Sequence, residues 1–208
     1  MSARGAVPAP ADLPGEVVPA AFFARATLEV ARALIGCVIA TGRGAALTAG
    51  RIVETEAYLG EDDPASHAAR GPTPRAAIMF GPPGVAYVYL IYGLHHCLNF
   101  VTERDGAAGA VLIRALVPVA GRAAMARRRA GGGAPPSPSA LCSGPGRLCQ
   151  ALGIDRSWNG EPAQGPRLRV LARGGPPPGI ATSPRIGVRQ AADRPWRFTA
   201  LPGAAEPV

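Results

Sequence analysis

The sequence predicts an α+β domain, a single compact unit with a mixed or antiparallel sheet and flanking helices. Three observations lead there. The chain has 208 residues, 48% of them hydrophobic, enough for one sizeable core but not for two comfortable ones. One segment carries apolar residues at helical spacing, and four others read as strands separated by Gly and Pro clusters. The strands and helices do not alternate in the regular way that announces a parallel sheet.

Residues 1–19 are rich in Ala and Pro without apolar periodicity, so they read as a flexible leader to a domain over 20–200, with a short tail at 201–208. From Phe22 to Ile35 an apolar stripe of Phe22, Phe23, Leu28, Val30, Ala31, Leu34 and Ile35 predicts a core-packing helix that stops at Gly36. Strands are predicted at Cys37–Ala40, Gly50–Tyr58, Val85–Tyr92 and Ala110–Leu116. The Gly/Pro/Ser run at 131–139 predicts a flexible surface loop, and Arg127–Arg129 before it is either a solvated helix end or a phosphate contact. No internal repeat is visible.

The formal charge is +8. A field of that sign favours a polyanionic partner such as nucleic acid or an acidic membrane, although a basic protein need have neither. All 22 residues of the Lys plus Arg count are arginine, so no side chain offers an amine for Schiff-base chemistry. Cys37, Cys97, Cys142 and Cys149 form no Cys-x-x-Cys pair, and His67, His95 and His96 form no His-Glu-x-x-His pattern, which argues against a zinc site. No Gly-rich phosphate loop leads to a lysine, so neither a metal nor any other cofactor is expected. Isolated cysteines without a secretion signal read as reduced thiols of a cytoplasmic protein. The absence of an apolar run of about 18 residues predicts no membrane span.

Two constellations carry chemistry. In Arg51-Ile-Val-Glu-Thr-Glu-Ala-Tyr-Leu-Gly60, alternation along a strand puts Glu54, Glu56 and Tyr58 on one face, with Val53, Thr55 and Ala57 on the other. Such a strand can present acid and aromatic to a cleft, or simply expose solvated glutamates. In the second, Tyr87, Tyr89 and Tyr92 are three of the chain's four tyrosines. Tyr87 and Tyr89 share a face and suit either base stacking or a sheet core, whereas Tyr92 stands beside Gly93, where the chain can turn and project it outward.

These segments, together with His67, Thr73-Pro-Arg75, Met79-Phe80, Asn99, Leu112-Ile-Arg-Ala-Leu116, Leu141-Cys-Ser-Gly-Pro-Gly146 and Pro184-Arg-Ile-Gly187, resemble the alkyladenine (3-methyladenine) DNA glycosylase family. The motifs run in the family's order from about residue 20 to residue 200. The resemblance implies an enzyme that flips a damaged purine of the 3-methyladenine, 7-methylguanine or hypoxanthine class out of double-stranded DNA and hydrolyses its N-glycosidic bond. It makes Glu56 the general base, Arg114 a holder of the attacking water and the carbonyl of Ile186 a second contact to that water. Glu54 shares the face but matches no catalytic position, and Arg114 has an alternative reading as an ordinary buried ion-pair partner.

The same match sets Tyr58 and His67 on one wall of the base pocket and Tyr89 on the other, with Asn99 crowding the exocyclic amine of normal guanine. It makes Tyr92 the wedge that fills the gap left by the flipped nucleotide. Leu94 and His95 extend that wedge, and Thr73 and Arg75 lie near the phosphates. Leu94-His95-His96 is smaller and more ionisable than the aromatic-rich family wedge. The missing lysines point to a water-using, monofunctional enzyme that leaves an intact abasic site, and duplex recognition by one compact domain requires only a monomer. Two other classes fit the same residues: a non-catalytic module for unusual bases in DNA or RNA, and a scaffold acting on free nucleosides.

Overall fold

The fold was obtained as a computed structural model, which describes residue 13 and residues 15–202. Most of the expected leader and residues 203–208 of the tail lie outside the described residues. The end of that leader already belongs to the core. Val17 bridges to Leu171, and Val18, which is buried, donates its amide to the carbonyl of Val170.

Eight strands form one sheet with the central order β3-β4-β5-β2-β1-β6, and every pairing among the described residues is antiparallel. They are β1 (Val38–Thr41), β2 (Thr48–Leu59), β3 (Ala86–Ile91), β4 (His95–Val101), β5 (Gly109–Ala120), β6 (Leu168–Leu171), β7 (Ile180–Ser183) and β8 (Arg197–Ala200). The spine is the pair β2 and β5, each 12 residues long. One edge of β2 is shared: β1 pairs with Thr48–Arg51, and β8 takes over at Glu54–Glu56. The β2–β5 register slips at Ala49/Gly50, around Val53 and again at Glu54/Thr55. The last slip leaves Arg114 without an opposite residue, because Glu54 faces Ala115 and Thr55 faces Ile113. A bulge of this kind re-aims a side chain, and here it re-aims an arginine.

Four helices complete the domain: α1 (Ala20–Phe23), α2 (Thr27–Ala33), α3 (Arg122–Ala130) and α4 (Pro145–Leu152). The single helix predicted over 22–35 is therefore two. The break has a physical cause: the backbone N–H and the hydroxyl of Thr27 both donate to Glu103 Oε1, at 2.6 and 2.7 Å, and this restarts the helix in a new direction. Gly36, at φ 89°, takes the left-handed conformation that ends the segment. Phe23, Val30, Leu34, Leu148 and Leu152 from the helices meet Ile39, Ile52, Leu98, Phe100 and Ile113 from the sheet in the main core. A smaller cluster of Ala68, Ala76, Met79, Tyr87, Val101 and Ala110 seats the 60–84 segment on the sheet beside the site. Arg127–Arg129 is the last turn of α3. Arg128 and Arg129 donate there to the carbonyls of Ala151 and Leu141.

Candidate active site

The register aligns chemistry from five strands in one row: Tyr87 of β3 opposite Asn99 of β4, Asn99 opposite Leu112 of β5, Leu112 opposite Glu56 of β2, and Glu56 opposite Arg197 of β8. Tyr89 faces Cys97 in the neighbouring row, and Tyr58 faces Ala110. Residues from these rows floor a cleft of about 640 Å³, which is closed by the 186–188 segment on one side and by the start of α4 on the other. Such a volume suits one ligand the size of a nucleobase with its sugar.

Glu56 lies just under the floor and is fully buried. Burying a carboxylate is costly unless donors meet it, and three do. Ile186 N–H donates to Oε1 at 2.7 Å, the Tyr58 hydroxyl to Oε2 at 2.8 Å, and Arg114 Nη1 to Oε2 at 3.1 Å. Arg114 is itself held by Glu54 Oε1 at 3.2 Å, and Arg197 Nε stands 3.4 Å from that same oxygen. Charges therefore alternate along Arg197, Glu54, Arg114 and Glu56. Glu54, which matched no role in the sequence, anchors the arginine that faces the cleft.

The aromatic residues line the cleft as the alternation requires, with one difference. His67 does not stand across from Tyr89: the two rings touch edge to face, with centroids 4.7 Å apart. The reason is local. His67 Nδ1 hydrogen-bonds the Tyr87 hydroxyl at 2.9 Å, and the cluster around Met79 draws the 60–84 segment onto the Tyr87/Tyr89 face. Burial, helped by the nearby Arg75 guanidinium, lowers the His67 pKa to about 4, so this imidazole is neutral at physiological pH. Burial raises the phenols of Tyr58 and Tyr89, that of Tyr58 also through the charge of Glu56, and both remain protonated donors. Asn99 is buried and fixed by its amide NH₂ on the carbonyls of Tyr87 and Cys97, at 3.0 and 3.4 Å.

At the rim, Tyr92 and Gly93 both have positive φ, 53° and 69°, and Leu94 N–H closes the turn on the carbonyl of Ile91. A bulky residue in that conformation is uncommon, and the turn projects Tyr92 outward at 84% exposure with Leu94 at 76%. His95 lies on the same rim, packed so closely against Gly146 of α4 that a Cβ there would fall 2.9 Å from the His95 Cβ. Thr73 and Arg75 sit outside the cleft lining. Thr73 caps its own turn through Ala76 N–H, and the Arg75 guanidinium lies 4.9 Å from the centre of the Tyr89 ring, against the outside of the base wall.

The sequence reading missed Cys97, Arg129, Pro145 and Arg147 as cleft residues. Cys97 had a signal, since strand alternation puts it two residues from Asn99. The start of α4 stood only within the Leu141–Gly146 motif, with no role attached, because it reaches the cleft through the packing of α4 on β4.

A buried carboxylate with three donors, set behind an aromatic cleft, is an arrangement suited to hydrolysing a bond in a ring-bearing ligand. Comparison with known proteins gives the family. Residues 21–202 match the model for "Methylpurine-DNA glycosylase (MPG)". A Rhodopseudomonas palustris (strain HaA2) protein named "Putative 3-methyladenine DNA glycosylase" is 50% identical over 95% of this chain and 93% of its own. Proteins with the same name from Anaeromyxobacter dehalogenans (strain 2CP-C) and Myxococcus xanthus (strain DK1622) are 50% and 49% identical, over 90% and 87% of this chain and 84% and 88% of theirs. The chain belongs to the methylpurine-DNA glycosylase family and is thus a DNA glycosylase, a hydrolase of N-glycosyl bonds in DNA repair. Among the described residues, no helix is long and apolar enough to cross a membrane.

Proposed function

We propose that this protein excises alkylated and deaminated purines, the 3-methyladenine, 7-methylguanine and hypoxanthine class, from double-stranded DNA, acting as a cytoplasmic monomer. The observation that carries this reading is Glu56, a carboxylate without solvent exposure whose three donors, Ile186, Tyr58 and Arg114, all line a base-sized cleft. Among the described residues Oε1 has a single partner, so a lone pair is left for a water molecule. In the reaction, that water's oxygen bonds to C1′ as the C1′–N bond breaks, and its proton passes to Glu56. Arg114 and the carbonyl of Ile186 orient the water, and the Glu56 charge stabilises the oxocarbenium-like sugar. A cationic lesion leaves as a neutral base, whereas hypoxanthine must gain a proton as it departs.

Tyr58 and Tyr89 hold the faces of the flipped base. His67, in edge-to-face contact with Tyr89, completes the aromatic wall around the base. Asn99, immobilised by two carbonyls, crowds the edge where guanine carries its amine. Tyr92, with Leu94 and His95, fills the gap in the duplex, while Arg75 and Thr73 approach the phosphates. With no lysine in the chain, the product is an uncut abasic site and no imine forms.

The test is base release from duplexes that carry one 7-methylguanine or one hypoxanthine, followed by strand analysis with and without alkali and by borohydride treatment. Release that leaves strands intact until alkali is added, with no protein trapped on DNA, is the expected result. Borohydride trapping refutes the water mechanism, and binding without any release would make the protein a recognition module.

A further inference from the structure

Behind the site lies an ion pair that the mechanism has not used. Arg185 and Asp63 have no exposed side-chain surface, and they meet in a two-pronged contact, Nη1 to Oδ2 at 2.6 Å and Nη2 to Oδ1 at 2.8 Å. An isolated pair of this kind contributes little net stability, because desolvation consumes the Coulomb gain. Its connections are more telling. The Asp63 carboxylate also accepts the amides of Leu59 and Ala65, which shapes the loop leading to His67. Arg185 donates to the carbonyl of Ala57, between Glu56 and Tyr58 on β2. Its guanidinium carbon lies 4.7 Å from the centre of the Tyr58 ring and 5.0 Å from that of Trp196. The next residue along the chain is Ile186, whose N–H holds Glu56.

We propose that the Asp63–Arg185 pair is a positioning device for the reaction: it sets the Ile186 backbone and the Tyr58 ring against Glu56, and so fixes the carboxylate's geometry toward the water. The proposal rests on Glu56 acting as the base. A planar fork is required at this place, because one group must bond Asp63 twice, reach the Ala57 carbonyl and keep its charge within 5.0 Å of two ring centres. Lysine keeps the charge and can do none of these together. The segment that bears Ile186 leaves β7 as a loop whose neighbouring residues are mostly exposed, so the buried Arg185 contacts join the Ile186 N–H bond itself in tying it to the sheet.

The test compares native protein with Arg185→Lys and Asp63→Asn under single-turnover conditions on a 7-methylguanine duplex, alongside duplex affinity and thermal unfolding. The reaction amplitude reports the folded, competent fraction. The rate constant reports the geometry of the molecules that react. The proposal expects the rate constant to fall at least about tenfold in Arg185→Lys, since a displacement near 1 Å at a reacting centre costs about a hundredfold. Duplex affinity should stay within about threefold, because the wedge and the rim are untouched. Asp63→Asn, nearly isosteric, should show the same split more weakly, and it decides the question if Arg185→Lys does not fold. Variants with reduced amplitude but a native rate constant would show a purely structural pair and overturn the proposal. Failure of the native protein to release base would instead overturn the proposed function.

Discussion

His67 offers a prediction that requires no DNA. Its pKa in the folded protein is lowered from 6.5 to about 4, first by burial and then by the Arg75 charge. The folded state therefore refuses a proton that the unfolded chain accepts. The sign follows: above pH 6.5 both states hold a neutral imidazole and nothing is lost, and stability falls as the pH drops from 6.5 toward 4. At pH 5 the full shift would cost about 2 kcal/mol, and partial exposure of the ring reduces this to about 1–2 kcal/mol. For a chain of this size that is a fall in Tm of about 2–8 °C. Other groups also titrate in this range, so the assay is a difference: thermal unfolding of native protein and His67→Gln at pH 7.5 and at pH 5. At pH 7.5 the native protein should be the more stable, since it keeps the Tyr87 contact, and at pH 5 its advantage should shrink or reverse. An advantage of equal size at both pH values would refute the reasoning.

Three further outcomes are expected. Arg114→Met keeps the volume but removes charge-assisted bonds to Glu54 and to fully buried Glu56, at 3.2 and 3.1 Å, so calorimetry should show a loss of about 2–4 kcal/mol. Base release by that variant should slow about a hundredfold or more in a single-turnover assay. Tyr92→Ala touches a side chain that is 84% exposed. Its Tm should move by no more than about 2 °C, while capture of a lesion duplex in a binding titration weakens by about 10- to 100-fold as the filled gap is lost. Duplex affinity should fall with salt at a log–log slope of about −0.9 for each phosphate contacted, and replacing one contacting arginine by Ala should make the slope shallower by about one.

The legible part of this protein was the part governed by local rules. Alternation through Glu54, Glu56 and Tyr58 located the acidic face, and Tyr92 beside Gly93 located the turn whose positive φ values expose the aromatic. What stayed hidden depends on contacts between distant segments. Nothing near Thr27 announces that Glu103, 76 residues away, splits the first helix. The bulge that aims Arg114 exists only once β5 is laid against β2. The sequence shows Glu56 as one of two equivalent carboxylates. Alternation alone does not tell them apart; the family resemblance favours Glu56, and the fold separates them physically, burying one and leaving the other to hold the arginine.

The most direct test of the account is Glu56→Gln under single-turnover conditions on a 7-methylguanine duplex, with lesion binding measured in parallel. The amide keeps the shape: its oxygen can accept from the Ile186 N–H while its NH₂ turns toward the Tyr58 hydroxyl, which can accept, but it loses the Arg114 contact and cannot take the water's proton. The account predicts a rate reduced about a thousandfold with duplex affinity nearly unchanged. A folded variant that releases base within tenfold of the native rate would contradict it.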